Sequence, residues 1–395
     1  MRFLSQFKKI GSVFRTKKAL GISAGVVLVI LTSVIVLAVI NWNADKGIGQ
    51  ELPDFEPYIN LPKDPDPPAN PTPQPPEDPP KYQGPIGLLT GLPIDEEHVN
   101  RRPIAVVVNN HYSALPQNGL LNADVIYEVL AESEITRFVA IFHSEMPLDK
   151  VGPIRSTRTY FADMALNHDA IFVIHGGTVD GYQRARNNFD ALLDGMVLEP
   201  TIFWRDRNYP QWTGISSQRA LEHSSYSSWQ RISQHLQAQN KRDTIEPDPQ
   251  LGFNFGEIPQ TIRRVGNAQV VSVPFSFLYT RTFEFEPAQN RYLVSNHHGA
   301  HVDAETREQL VTNNILVQFV HSRVIDPVAG YKAVDTVGSG DGYLFTGGEQ
   351  FVLRWQKASH TSPMQWFFEC GTPLVLTPGK TWICVFPVES AVVTE

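Results

Sequence analysis

The sequence predicts an α+β protein in which an N-terminal mixed α/β domain precedes a mainly antiparallel β domain, both carried on a transmembrane helix and a proline-rich tether. Three observations predict this. Residues 19–40 form an uncharged apolar run of 22 positions. Ten of the twenty residues from 61 to 80 are proline. Beyond residue 84, Val- and Ile-rich stretches first alternate with helical patterns and then give way to short strands separated by Gly, Pro and Asn turns.

The elements follow in order. Residues 1–18 are a basic stub containing Arg2, Lys8, Lys9, Arg15, Lys17 and Lys18, with no acid before Asp45. The run at 19–40 is long enough to cross roughly 30 Å of hydrocarbon as a helix. The positive-inside tendency then places the N-terminus in the cytoplasm and everything after Asn41 outside, as a single-pass protein of the cell membrane. A cleaved signal peptide fits poorly, because the run is too long for its apolar segment and no small-x-small cleavage pattern follows. Residues 41–84 cannot form a core and favour polyproline II at roughly 3.1 Å per residue, which makes them an extracytoplasmic spacer reaching about 100 Å.

Some 310 residues remain, enough for two domains, at 85–246 and 247–395. The chain carries −8. Six basic residues of the stub contribute +6 of that, leaving −14 beyond it. So acidic a body is not built for nucleic acid or for lying flat on anionic lipid. Cys370 and Cys384 have turn signals between them, and an oxidising compartment permits either a disulfide or two packed thiols.

In the first domain, strands are expected at 103–110, 124–131, 137–144 and 170–175, with helices at 157–168, 181–189 and 218–237. Tyr160, Phe161, Met164, Ala165 and His168 share one face of the first helix. In the second, strands are expected at 270–275, 282–286, 291–295, 315–322, 342–346, 350–356, 365–369 and 382–388. Turns fall at 286–290 and 345–348.

The candidate chemistry lies in the first domain. Gly152 and Pro153 turn the chain, Ser156 is placed to cap the following helix, and Arg155 and Arg158 flank its free N–H groups. Two guanidinium forks beside a helix N-terminus suit phosphate or carboxylate. The competing reading is that these arginines pair with Glu132, Glu134 or Asp163 and hold the domain together. His175, Gly176 and Gly177 follow a strand, where ligands of open sheets gather, and Asp180 is placed to cap the next helix. His175 there is a base, a sugar-hydroxyl partner, or a packed side chain in a tight turn. Trp204, Arg205 and Asp206, with Tyr209 and Trp212 beyond, carry the rings and charges of a sugar cleft, or an internal ion pair under an aromatic lid.

Other patterns carry less. Glu128, Glu132, Glu134 and Asp163 supply carboxylates for acid–base hydrolysis, but spacing in sequence does not give their separation. His297, His298, His301 and Asp303 have metal-ligand chemistry, yet read as a hairpin tip. There is no G-x-S-x-G, P-loop, dinucleotide loop, H-E-x-x-H or calcium loop, so no cofactor and no metal is expected.

Taken together, several motifs resemble the YerB-like family of bacterial envelope proteins, whose two halves are domains of unknown function. They are Pro103-Ile104-Ala105-Val106 with Asn109-Asn110, Ala123-Asp124 with Tyr127-Glu128, Thr136-Arg137-Phe138, the Gly152 to Arg158 segment, His175-Gly176-Gly177 and Trp204-Arg205-Asp206. In the second half they are His301-Val302-Asp303, Val317-Gln318-Phe319-Val320, Gly338-Ser339-Gly340 with Gly342-Tyr343, and Pro378-Gly379-Lys380-Thr381-Trp382. The resemblance implies a two-domain extracytoplasmic protein attached to the membrane, and it implies no reaction. Many relatives carry a lipid-bearing N-terminal cysteine, which is lacking here. Relatives often have Pro-His where this chain has Pro210-Gln211.

The expected function is therefore binding of an anionic wall component or lipid-linked glycan through Arg155, Ser156, Arg158, His175, Gly176, Gly177, Trp204, Arg205 and Asp206. The alternatives are an enzyme acting on the same material, either a glycan hydrolase or a phosphate-polymer transferase, and a structural partner of another envelope protein.

Overall fold

A computed structural model describes residues 84–146, 149–246 and 251–395. The expected stub, membrane span and tether lie outside these residues. Among the described residues no helix is long and apolar enough to cross a membrane.

The first half contributes strands β1 (Ile104–Asn109), β2 (Val125–Glu132) and β3 (Ile135–Phe142), helix α1 (Thr159–Leu166), strand β4 (Ile171–Ile174), helix α2 (Val179–Asn188), strand β5 (Leu192–Asp194) and the short helix α3 (Gly195–Leu198). A two-stranded ribbon of β6 (Trp204–Arg205) and β7 (Ser225–Tyr226) precedes α4 (Trp229–Ala238). The second half contributes β8 (Val270–Pro274), β9 (Thr280–Glu286), β10 (Arg291–Asn296), β11 (Asn314–Val320), β12 (Ser322–Asp326), β13 (Tyr331–Val334), β14 (Gly338–Thr346), β15 (Glu349–Lys357), β16 (Gln365–Phe368) and β17 (Thr381–Pro387).

One 13-stranded sheet draws on both halves: ten of its strands run in the order β16-β15-β14-β11-β17-β2-β3-β1-β4-β5, and β12, β13 and the strand Arg264–Asn267 pair off that path. The α+β class is as expected, but the second half is not simply antiparallel. β17 inserts between β2 and β11 and runs parallel to both. Its sequence explains why it needs two neighbours. Trp382, Cys384 and Phe386 face one core while Ile383 and Val385 face the other, so neither side is left for water. Strand β1 alternates in the same way, with Ile104, Val106 and Val108 on one face and Ala105 and Val107 on the other.

On the first face lies a second sheet containing β8, β9 and β10, together with α4 through Ile232 and Leu236. On the opposite face α1 buries Tyr160, Phe161, Ala162, Met164 and Ala165. The tight link between β14 and β15 uses Gly347 and Gly348, both at positive φ, as a two-residue hairpin turn requires.

Three local expectations are corrected, and one open alternative is decided. Helix α1 begins at Thr159, so Arg158 occupies the N-cap position in place of Ser156. Residues 156 and 157 stay extended because Thr157 N–H is spent on Gly176 O at 2.9 Å, and strand pairing outcompetes a helical turn there. Thr178 caps α2 in place of Asp180, its side chain accepting from Gly181 N–H at 3.3 Å. The long helix expected at 218–237 is only α4, capped by Ser228; the serine-rich stretch before it forms β7, paired with β6. Cys370 is exposed and Cys384 buried, and both are free thiols, so no disulfide joins them.

Candidate functional site

Strands β1 and β4 pair in parallel only through residues 104–106 and 171–173. Past that point they part, and the chain after Gly152 enters the gap. Arg155 N–H donates to Val107 O at 2.8 Å, and His175 N–H donates to Arg155 O at 3.0 Å. This is the carboxyl edge of the parallel strands, where loops and helix N-termini converge. Gly152 makes the entry feasible. Its φ is +138°, and a Cβ there would lie 2.8 Å from Ser225 O.

The inserted segment brings arginines onto one carboxylate. Glu132, at the end of β2, accepts from Arg137 Nη2 and from Arg158 Nη2, the latter at 3.0 Å. Arg137 also donates to Ser156 O at 3.0 Å, and Arg158 to Thr157 O at 2.8 Å. Arg155 is the third cation of the group. Its buried Nε has no partner, and its guanidinium makes no hydrogen bond or ion pair among the described residues. Burial alone would raise the Glu132 carboxyl, but Arg137, Arg158 and Arg155 outweigh it and hold it below its ordinary value. Burial, opposed by Glu132 and helped by Arg158 and Arg155, brings Arg137 down to about 10. Burial also lowers Arg155, with Glu132 and Glu222 opposing and Arg158 and Arg205 adding.

Three histidines surround Arg155, all held towards the neutral form. Burial, then His111 and Arg155, brings His223 down to about 4. Burial and the Arg155 charge lower His111. Their rings stack with centroids 4.6 Å apart, and Asn109 Nδ2–H donates to His223 Nδ1 at 2.7 Å. Burial and then Arg205 lower His175. Arg205 Nη2 lies 2.7 Å from His175 Nε2. A guanidinium can only donate, so Nε2 accepts and Nδ1 carries the proton, which it gives to Ser225 Oγ at 2.7 Å. Both ring nitrogens are thus committed. Gly195 makes room for the ring, since a Cβ there would lie 2.0 Å from His175 Nδ1. Gly195→Ala is therefore expected to expel the imidazole from its hydrogen bonds and to cost about 1–3 kcal/mol. Loss of the hydrogen-bonded His175 Nδ1–H resonance by NMR is the check; an unchanged signal would contradict the assignment.

The remaining sequence-derived residues divide. Ser156 Oγ donates to His175 O at 3.2 Å. Gly176 N–H is taken by Asp194 Oδ1 at 3.0 Å, while Gly177 lets Thr157 approach, a Cβ there falling 2.8 Å from Thr157 Cγ2. Arg158 and Gly177 open onto a cavity of about 540 Å³ that also meets Lys332 and the N-termini of α1 and α2. The Arg158 guanidinium lies over the Tyr331 ring at 4.7 Å. Arg205 grips Glu199 with Nε at 2.9 and 3.2 Å. Asp206 pairs with Lys150 at 2.7 Å. Trp204 is covered by the Arg231 guanidinium at 4.6 Å. Arg155, Arg158, His175 and Arg205 therefore form one electrostatically coupled group, whereas Trp204 and Asp206 make their own contacts beside it. The carboxylates of Glu128 and Asp163 are engaged elsewhere, by Arg281 and by Arg184, Thr336 and His360.

Two family models match the chain in succession: the N-terminal domain of a protein of unknown function (DUF3048) over residues 89–243, and its C-terminal domain over residues 271–383. A Bacillus subtilis (strain 168) protein named "Putative lipoprotein YerB" is 31% identical over 305 residues, covering 76% of this chain and 85% of that protein. The chain belongs to the YerB-like family. The crystal structure of YerB protein from Bacillus subtilis superposes with a TM-score of 0.67 at 30% identity, covering 78% of this chain and 99% of that one.

Within this YerB-like fold, Arg137, His111, His223 and Lys332 complete the candidate site and were not singled out as site residues from sequence. His111 directly follows Asn109-Asn110, and Arg137 sits inside Thr136-Arg137-Phe138, so both adjoin motifs that carry the family resemblance. Lys332 arrives from β13, which meets β2 only through the Tyr331–Glu132 pairing. No local pattern announces it.

Proposed function

We propose that this chain is a membrane-attached protein of the cell envelope that holds an anionic wall polymer or phosphorylated glycan at the Arg155 cluster. The observation that carries the reading is Arg155 itself, a half-buried guanidinium without a hydrogen-bonded partner in a group where Glu132 is already paired with Arg137 and Arg158 and only the exposed Glu222 adds a second opposing charge. Such a group is short of negative charge, and an oxyanion with two acceptor atoms supplies it in bidentate fashion. Burial and the neighbouring guanidinium charges hold the histidines around it towards the neutral form, so the attraction does not depend on their protonation. The name of the Bacillus subtilis relative, "Putative lipoprotein YerB", supports an extracytoplasmic setting at the membrane. In this chain the apolar run at 19–40 serves as the anchor.

Isothermal titration of the full chain in detergent micelles with poly(glycerol phosphate), and with dextran as an uncharged control, tests this. The polyanion is expected to bind, more weakly as salt is raised, and at least tenfold more weakly to Arg155→Ala. Equal affinity of variant and wild type, or no binding by the wild type, would overturn the reading.

A further inference from the structure

We infer that the cleft between Tyr112 and Trp212 is a saccharide subsite next to the Arg155 cluster, so that the anionic ligand is a glycan with one sugar ring stacked there. The inference takes its charged end from the function proposed above and its ring end from the cleft alone.

The cleft measures about 310 Å³ and lies between the loop after β1, the turn Gln211–Thr213 and the hairpin tip beyond β10. That is at the small end of the range for small-molecule sites, about 300–1,000 Å³. Its walls are aromatic and open: Tyr112 is 64% exposed, Trp212 38% and Ile215 46%. Leu115 and Pro116 add apolar surface, and His298 adds a polar group. Flat apolar faces with hydrogen-bonding groups beside them match a sugar ring, which has an apolar face and an edge of hydroxyls.

Trp212 is held for this purpose. Its indole N–H donates to Ala304 O at 3.0 Å, and Thr213 Oγ1 closes the turn onto Pro210 O at 2.8 Å. The edge is spent on holding the ring while more than a third of the residue stays exposed, on the wall of the cleft. A guanidinium lies over each tryptophan, Arg231 at 4.6 Å from the Trp204 ring and Arg307 farther out, at 5.5 Å from the Trp212 ring, where it adds a donor at the edge of the cleft.

The link to the charged group runs through His111. The Tyr112 and His111 rings have centroids 4.1 Å apart, and His111 stacks on His223. The Arg155 charge acts on both histidines. A ligand with an oxyanion next to its ring would therefore meet the aromatic wall and the guanidinium on either side of His111.

Titration of the full chain in micelles uses three probes: inorganic pyrophosphate, an N-acetylglucosamine trisaccharide, and the same trisaccharide carrying one 6-phosphate. The phosphorylated trisaccharide is expected to bind at least tenfold more tightly than either of the others. Trp212→Ala should remove that advantage and leave pyrophosphate unaffected. Trp212→Phe, which keeps a ring and loses the hydrogen bond to Ala304, should retain most of it, separating stacking from a structural role. Arg155→Ala should weaken both phosphorylated probes. Unchanged trisaccharide binding in both Trp212→Ala and Tyr112→Ala would overturn the subsite while leaving the Arg155 reading intact. Unchanged pyrophosphate binding in Arg155→Ala would overturn the Arg155 reading, and the tryptophan variants would still judge the ring site.

Discussion

Replacing Arg281 with methionine is expected to destabilise the protein by about 3–5 kcal/mol, because it strands a buried carboxylate. Arg281 on β9 and Glu128 on β2 are each 1% exposed. They face each other as two parallel forks, Nε to Oε2 at 2.8 Å and Nη2 to Oε1 at 3.1 Å. Thr136 and the Trp382 indole also donate to Glu128, at 2.9 and 3.2 Å. The Arg281 guanidinium lies between the Phe138 and Trp382 rings, at 5.5 and 5.0 Å. With the arginine gone, the carboxylate must be protonated or stay charged among apolar rings, and either outcome favours unfolding. The melting temperature should fall by about 10 °C. Adding Glu128→Leu to Arg281→Met should recover much of the loss, since the pair removed together leaves no buried charge. A single-variant cost below about 1 kcal/mol would show that the pair does not act as described.

The same pair connects the second half to the candidate site. Arg281 donates to His301 Nδ1 at 2.8 Å, His301 Nε2–H to Gln117 Oε1 at 2.8 Å, and Gln117 to Asn109 O at 2.9 Å. Asn109 in turn holds His223. Mild loss of anion affinity in Arg281→Met, at a temperature where it remains folded, would accompany a disturbance of this chain.

Acidification from pH 7 to pH 5 is expected to cost about 4 kcal/mol of stability. Burial first, then the Arg101 charge, brings His143 down to about 4. Burial brings His168 down to about 3, and His223 lies at about 4. Each folded-state value is below the ordinary 6.5, so the unfolded chain binds more protons as pH drops below 6.5. Stability present above that point is lost progressively down to the folded values. By pH 5 each of the three contributes a loss of at most about 2 kcal/mol. Asp124 works in the opposite direction: burial raises it to about 6 against the hydrogen bonds from Ser144 and His143, so it gains protons sooner in the folded state and offsets about 1–2 kcal/mol. Urea unfolding at the two pH values measures the difference, and His168→Gln should flatten the dependence. A midpoint that does not move between pH 7 and pH 5 would contradict the buried neutral histidines.

The strands were legible because they are chemically loud. Val106 to Val108 and Ile171 to Ile174 are unbroken β-branched and aromatic runs, and burial on both faces admits little else. Helix α1 was legible from its apolar stripe, but not its first residue. Ser156 carries the signature of a cap and loses to an interaction 20 residues away, the Thr157–Gly176 pairing. The stretch at 218–228 failed for the same reason: its composition allows a helix, but β7 pairs with β6 and its serines find partners there.

The candidate site shows this division most clearly. Residue identity alone marked Arg155, Arg158, His175 and Arg205, because guanidinium and imidazole beside glycine turns are chemically distinctive. Which of those groups would be neutralised was a matter of geometry. Glu132 reaches Arg158 and Arg137 and leaves Arg155 without a partner, while Trp212 lines the cleft beside Tyr112.

Side-chain chemistry and the two periodicities of the backbone thus determined, from sequence alone, where strands and helices run and which side chains carry charge. Only the tertiary structure decided that β17 lies between β2 and β11, and which of several nearby cations keeps its charge uncompensated. Pairing across more than two hundred residues depends on complementary surfaces that exist only once both are folded, and charge compensation depends on separations of a few ångströms that no spacing along the chain encodes.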